Sequence, residues 1–212
     1  MKIDFVSDVS CPWCAIGLRS LETALERLAP ELTPTLTFQP FELNPNMGAE
    51  GQDIGEHLHE KYGLSPEQLA QNGEAIRARG AALGFTFSMG ARRRIYNTFD
   101  AHRLLHWAEL EGRQLALKQA LFTAYFTDGR DPSDHDTLVE VATGVGLDAQ
   151  RAREVLASGA YADEVRQDER HWQQLGIHAV PAVVIDNRHL IQGGQPPEVF
   201  EQALRQIAAS GE

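Results

Sequence analysis

The rhythm of apolar and polar positions changes along the chain. "KIDFV", residues 2–6, alternates with Ile3 and Phe5 on one face, as a short strand does. Cys14, Leu18, Leu21, Leu25 and Leu28 then recur at spacings of four and three, the inward stripe of an amphipathic helix. Ser10 is placed to cap that helix near Cys11, and Pro30 and Pro34 bracket its end. "TLTFQPF" alternates again, with Leu36 and Phe38 to one side and Thr35, Thr37 and Gln39 to the other. Residues 1–43 therefore read strand, helix, strand. Two strands joined by a helical crossover are expected to be parallel with a right-handed connection.

From about Gly48 helical patterns dominate. "LSPEQLAQNGEAIRARGAALG" sets Ser65 as cap, Pro66 at the first helical position, Glu67 in the first turn and Gly84 as a stop. Asn97 opens a helix through Phe99, Leu104, Leu105 and Ala108, and further helices fit 113–127, 134–144, 148–157 and a strongly charged 160–175. The pattern then reverts. "VPAVVID" is a β-branched run of the kind found in buried strands, and "RHLIQGG" is a second short strand ended by glycines. "PPEVFEQALRQIAAS" closes the chain as a helix with Val199, Phe200, Ala203, Leu204 and Ile207 inward. The order is βαβ, a helical block, then αββα.

Composition adds limits. The 212 residues, 42% hydrophobic and 23% charged, suit a globular chain with a substantial core. A net charge of −11 argues against nucleic-acid or anionic-membrane partners, which need a positive surface. No apolar run approaches the roughly 20 residues that span a bilayer. Met1-Lys2-Ile3-Asp4 leads straight into a strand pattern with no apolar targeting segment, so a cytoplasmic protein is expected.

The only two cysteines, Cys11 and Cys14, form one Cys-x-x-Cys at the start of the first helix. Three apart in a first turn, they lie on one face at a separation that suits a disulfide, so the pair can close and open with little backbone movement. A helix start offers unpaired N–H groups and the positive end of the dipole, which favour a thiolate at Cys11. Cys14 falls on the apolar stripe and reads as the more buried, resolving thiol. The polar Ser7, Asp8 and Ser10 just upstream suggest a surface loop. A structural disulfide closing so short a loop would stabilise little. A zinc site lacks further ligands: no other cysteine exists, and His57 and His59, two apart, diverge on a helix. No metal site is expected. In "GIHAVPAVVI", Val180–Pro181 is a candidate cis peptide ahead of a strand, leaving the Val180 backbone free to pair with an extended thiol-bearing peptide. An ordinary trans proline at a strand start is the competing reading.

Four stretches, "CPWCAIG", "FQPFELNPN", "NTFDAHRLLHWA" and "GIHAVPAVVI…IQGGQP", resemble the thioredoxin superfamily, its DsbA-like group, and within it the FrnE-like dithiol oxidoreductases. The resemblance spans the whole chain. It implies an α/β thioredoxin-like fold from residues 1–46 and 160–212, with residues 47–159 as a large inserted all-helical domain. It implies that Cys11 attacks, that Cys14 resolves, that Val180–Pro181 is the cis pair opposite them, and that the Asn97–His102 segment lies near the dithiol. One departure stands out: the family usually has glycine where Ala179 stands and a small residue where His178 stands. His178 is therefore a candidate beside the site, as imidazolium or as proton acceptor.

Other candidates carry plainer readings beside them. Pro12-Trp13 is the inner dipeptide, with Trp13 an exposed cap and substrate contact or a packing residue. Asp4 and Asp8 are candidate proton acceptors beneath the dithiol but read first as solvated or capping, Asn97 as a helix cap that the resemblance raises to a site residue, and His102 as a core histidine with one satisfied hydrogen bond. "ARRR", 91–94, is a candidate attractor for an acidic substrate or the carboxylates of glutathione, but reads first as a solvated cluster at a helix start.

The expected function is a cytoplasmic thiol–disulfide oxidoreductase or isomerase acting on protein or peptide disulfides. It would have no tightly bound cofactor and would use glutathione as a redox partner. The alternative is a glutathione-dependent isomerase or transferase resembling 2-hydroxychromene-2-carboxylate isomerase and kappa-class transferases. Those typically carry serine where Cys11 stands. The oligomeric state is open, a homodimer being one option.

Overall fold

The computed structural model describes residues 1–210. Its central sheet has the order β2-β1-β5-β6, formed by β1 (Lys2–Ser7), β2 (Thr35–Pro40), β5 (Ala182–Ile185) and β6 (His189–Gln192). β2 runs parallel to β1, as the crossover through α1 (Pro12–Leu28) requires, whereas β5 and β6 are antiparallel to their neighbours. Phe5 stands opposite both Phe38 and Val183, and the two phenylalanine rings meet edge-on at 5.8 Å.

One face of the sheet carries Ile3, Phe5, Phe38, Val183 and Ile185 against the α1 stripe and against Phe200, Leu204 and Ile207 of α9 (Pro197–Ser210). The other face packs Val6, Ala182 and Val184 on Trp172 of α8 (Ala162–Gln174). β1 is thus covered on both sides, and Asp4, in its middle, is fully buried. It accepts from Gln39 Nε2 at 2.7 Å and pairs with Lys2 at 3.0 Å. It is neither solvated nor a cap. Val199 also departs from expectation: it lies a quarter-turn off the Phe200–Leu204–Ile207 stripe and is exposed.

Between β2 and α8 lie β3 (Gln52–Asp53), α2 (Ile54–Tyr62), α3 (Pro66–Ala82), β4 (Arg94–Ile95) and α4 (Phe99–Leu110). After them come α5 (Gln114–Phe122), a π-helical turn at Thr123–Thr127, α6 (His135–Gly144) and α7 (Ala149–Ser158). The predicted cap of α3 is present: Ser65 Oγ accepts from Gln68 N–H and the Gln68 side chain reaches back to Ser65 N–H. Asp134 and Asp148 cap α6 and α7 by accepting from the N–H groups of Thr137 and Arg151. The β3–β4 ladder, two residues long, is too short for alternation to announce. α4 starts one residue later than the pattern places it, with Thr98 as N-cap, while Asn97 Oδ1 accepts from Phe99 N–H at 2.9 Å.

The helical region shares the core of the sheet layer. Ile76, Phe87, Phe122, Tyr125 and Phe126 join the cluster built on Phe5, Cys14 and Leu18. Among the described residues no helix is long and apolar enough to cross a membrane.

Candidate active site

The turn between β1 and α1 is held from within. Asp8 Oδ1 accepts from Ser10 N–H at 3.1 Å, its Oδ2 from Leu43 N–H at 2.7 Å, and its carbonyl from Cys11 N–H at 3.2 Å. Ser7, Asp8 and Ser10 are all buried, so this is not the surface loop that their polarity suggests. The α4–α7 cluster covers it through Val9, and backbone groups in place of water meet the Asp8 carboxylate and the Ser7 hydroxyl, while Ser10 Oγ is buried without a hydrogen-bond partner among the described residues. Ser10 is not the cap either. Cys11 occupies the N-cap position with extended backbone (φ −90°, ψ 114°), and Pro12 fills the first helical position.

With no capping side chain, the start of α1 leaves its N–H groups to the Cys11 sulfur. The Cys14 thiol and the N–H groups of Cys14 and Trp13 all donate to it. The hydrogen bond from the Cys14 thiol is the largest influence, and it outweighs burial and the nearby Asp8 charge, so Cys11 sits below the usual thiol range. Cys14 sits well above it: burial comes first, and then the hydrogen bond to, and the negative charge of, Cys11. Both thiols are free. Cys11 is 4% exposed and Cys14 0%, which agrees with Cys14 being the deeper of the two while leaving only a narrow approach to Cys11.

Val180–Pro181 is cis, and so is Ala29–Pro30, which no signal in the sequence marked. The Val180 carbonyl lies 3.9 Å from Cys11 Sγ. Two glycines allow this approach. A Cβ on Gly17 would stand 3.0 Å from Pro181 Cγ, and one on Gly194 would stand 2.9 Å from the Trp13 carbonyl oxygen. Trp13, 38% exposed, flanks the thiol under the Arg79 guanidinium, 5.7 Å from its ring, and Arg79 in turn donates to the Gly194 carbonyl at 2.7 Å. Pro12 is half-buried.

The remaining candidates separate. His102 is a buried histidine whose Nε2 lies 3.1 Å from the Phe41 carbonyl and 3.7 Å from Asp8 Oδ1. Burial pushes the Asp8 carboxyl upward, but the His102 hydrogen bond and charge, with the Leu43 and Ser10 N–H groups, hold it below the usual carboxylate range. Asn97 is half-buried and turned to the backbone of Phe99 and Pro45. His178 is exposed, two residues before Val180, and makes no hydrogen bond or ion pair among the described residues. His57 and His59 diverge on α2, their Nδ1 atoms meeting Gln52 Oε1 and the Leu64 carbonyl respectively.

Residues 2–205 match the DSBA-like thioredoxin domain family. The chain belongs to that family. A probable DsbA oxidoreductase from Streptomyces coelicolor is 41% identical, with a TM-score of 0.92 over all of this chain and 91% of its own. At the level of fold alone, 2-hydroxychromene-2-carboxylate isomerase aligns with a TM-score of 0.72 at 15% identity, covering all of this chain and 98% of its own. The cytosolic disulfide reductase DsbM of Pseudomonas aeruginosa, with GSH, aligns with a TM-score of 0.69 at 16% identity over 99% and 100%.

In this DsbA-like chain, two buried cations near the thiols escaped the sequence reading. Arg92, from the "ARRR" stretch, is 8% exposed, not solvated, and lies over the Tyr125 and Phe126 rings at 5.4 and 5.2 Å within electrostatic reach of Cys11. Lys118, on α5, is fully buried among Phe38 and Phe122, and feels Cys14, Asp8 and Cys11. A charged residue in an amphipathic helix carries no mark of such burial. The one available signal was that α5 is apolar on nearly every other side, as "LALKQALF" shows.

Proposed function

We propose that this protein is a thiol–disulfide oxidoreductase working through the Cys11–Cys14 dithiol. The observation that carries the reading is the pair's asymmetry: one sulfur at a helix start is held low by N–H donors and its neighbour's thiol, and the second is buried and held high. The Cys11 thiolate attacks a disulfide and forms a mixed disulfide, releasing the first product thiolate. Cys14 then attacks the Cys11 sulfur, releasing the second and closing the Cys11–Cys14 disulfide. Each step reverses in the oxidising direction.

Trp13, Pro12 and the Val180–Pro181 segment border the approach to Cys11 and form the surface for an extended protein or peptide substrate, with Asn97 and His178 at its periphery and the buried His102 acting from beneath, through Asp8. We place the thioredoxin-like part at 1–46 and 160–212, with 47–159 as the insertion, and the protein in the cytoplasm. That setting fits a chain whose whole cysteine supply is one redox pair. Glutathione serves as redox partner without being tightly bound.

The test is reduction of insulin disulfides by dithiothreitol with wild-type and variant protein. Cys11→Ser is expected to fall to the uncatalysed rate, and Cys14→Ser to accumulate a mixed disulfide visible by mass spectrometry. Full turnover by Cys11→Ser would refute the proposal. Isomerisation or conjugation of an electrophile that needs glutathione, with no insulin reduction, would establish the glutathione-dependent alternative.

A further inference from the structure

The exchange above leaves one cation at the rim of the approach to Cys11 without a role. Arg79 stands in the last turn of α3 and is exposed. Its guanidinium lies over the Trp13 ring, 5.7 Å from the centre, and its Nη2 donates to the Gly194 carbonyl at 2.7 Å. Both contacts lead to the reacting sulfur. Trp13 follows Cys11 by two residues in the first turn of α1. Gly193, beside Gly194, donates its N–H to the Pro181 carbonyl at 2.8 Å, and the Val180 carbonyl lies 3.9 Å from Cys11 Sγ. Arg79 thus touches both walls of the approach, the Cys-x-x-Cys turn and the segment tied to cis Pro181.

The neighbouring arginines are paired and Arg79 is not. On α1, Arg19 meets Glu22 at 2.8 Å, and Arg27 meets Glu198 at 3.0 Å and Glu201 at 3.6 Å; on α3, Arg77 meets Glu74 at 2.6 Å. Arg79 makes no ion pair among the described residues. Gly194 takes one of its five N–H donors, and the rest suffice for a bidentate carboxylate. Arg79 also lines a cleft of about 440 Å³ with Ser20 and Arg27 of α1, Leu83, and Pro197 and Glu198 of α9. Two guanidinium groups and one carboxylate stand on that lining, and the buried Ser20 Oγ has no hydrogen-bond partner among the described residues. The lining favours a polar, anionic occupant, although the chain as a whole carries a net charge of −11.

We propose that Arg79 gives the protein a preference for acidic peptide substrates: a carboxylate near the reacting cysteine of the substrate pairs with the guanidinium while the chain passes Trp13 toward the cleft. This deepens, and rests on, the thiol–disulfide reading above. Exposed ion pairs are weak partly because two long side chains must be ordered to make them. Here the Trp13 ring and the Gly194 carbonyl already hold the guanidinium, so less of that cost remains. The selection acts in the first step. The Cys11 thiolate bonds to the substrate sulfur, the substrate disulfide breaks, and its electron pair leaves on the second sulfur. Arg79 takes no part in these bond changes.

The experiment uses reduced full-length protein and a set of otherwise uncharged single-cysteine peptides, each presented as its mixed disulfide with thionitrobenzoate. Glu or Gln is set at each position up to four residues either side of the cysteine. Stopped flow follows thionitrobenzoate release, and each rate constant is divided by that of 2-mercaptoethanol with the same peptide, which removes intrinsic reactivity. The readout is the Glu-to-Gln ratio at each position. In the wild type it is expected to reach about 3–5 at one or two positions in low salt and to fall toward 1 in 1 M salt. Arg79→Gln is expected to bring it to about 1 throughout, and Arg79→Glu below 1. A side chain that only steadied Trp13 would slow both peptides alike, so a ratio unchanged in folded Arg79→Gln overturns the proposal. A wild type with no Glu preference at any position overturns it without any variant. So does an Arg79-dependent rate with the glutathione mixed disulfide while no peptide responds, which would assign the guanidinium to the small thiol. A wild type that releases no thionitrobenzoate through Cys11 refutes the dithiol reading itself, whereas release indifferent to charge refutes this inference alone.

Discussion

Replacing Lys118 by methionine is expected to stabilise the folded protein at neutral pH, although it removes a side chain from the centre of the molecule. The magnitude follows from the surroundings. In the unfolded chain the amine titrates near its ordinary 10.5; in the fold burial brings it to about 8. At 1.36 kcal/mol per pH unit, the buried ammonium costs about 3 kcal/mol relative to a neutral group. Its attraction to the Phe122 ring at 5.0 Å returns about 1 kcal/mol, leaving a net gain of about 2 kcal/mol for methionine, which keeps the apolar stem between the rings. For a chain of this size that is a rise in Tm of roughly 4–8 °C. The pH dependence has a definite sign. The native pKa is depressed, so below pH 8 both states carry the proton and the penalty is complete; between 8 and 10.5 only the unfolded state is protonated, and the penalty fades as pH rises. Urea unfolding of reduced wild type and Lys118→Met at pH 6.5 and 9.5 measures this. The variant is expected to be the more stable at pH 6.5, with the gap narrowing at 9.5. A variant less stable at both pH values, or a gap that does not move with pH, would refute the assignment of a buried, poorly compensated amine.

Cys14→Ala removes the hydrogen bond that most lowers Cys11, so the inflection in the pH dependence of Cys11 alkylation by iodoacetamide is expected to move upward. Gly194→Ala sets a Cβ 2.9 Å from the Trp13 carbonyl, a backbone atom that cannot swing aside; a loss of about 1–3 kcal/mol in urea unfolding and slower insulin reduction are expected. His102→Phe takes from Asp8 the partner that holds its carboxyl low. The Asp8 contribution is present above the ordinary 3.8 and lost as pH falls through the depressed folded value, so the variant is expected to lose about 2–3 kcal/mol at neutral pH and to begin acid unfolding at higher pH, read by circular dichroism.

What the sequence disclosed and what it hid divide along physical lines. Period and punctuation were enough for the α1 stripe, the Ser65 capping box and the parallel β1–β2 pair, because these depend on residues close in the chain. The Cys-x-x-Cys and Val-Pro motifs were legible for the same reason, and their meeting at 3.9 Å across 169 residues came from family resemblance, not from spacing. The environment of the thiols was not legible. Ser7, Asp8 and Ser10 read as a loop in water, yet all three are buried beneath helices more than 90 residues away in the chain, with backbone groups meeting Asp8 and Ser7. "ARRR" mixes exposed Arg93 and half-buried Arg94 with Arg92, whose burial is set by the rings of Tyr125 and Phe126. Polarity signals a need for hydrogen bonds or countercharge, and a sequence does not say whether water or protein supplies them.

The order of attack by the two sulfurs also follows from position more than from burial. Cys11 and Cys14 are both removed from solvent, and burial raises either thiol alike. What separates them is one turn of helix. Cys11, at the N-cap, receives the first-turn N–H groups of Trp13 and Cys14, whereas Cys14 lies inside the helix on its apolar face, where burial is the largest influence. A hydrogen bond between the two thiols then amplifies the difference, because it stabilises charge on the acceptor and withholds it from the donor. Stabilising the Cys11 thiolate favours the reduced protein, so the N–H cluster makes the dithiol more oxidising, and the Asp8 charge beside it works the other way. Asp8 also shapes the turn that presents Cys11, and His102 and Lys118 surround it. The groups that build this turn are therefore the same ones that set its electron affinity, and a substitution chosen to change one will move the other.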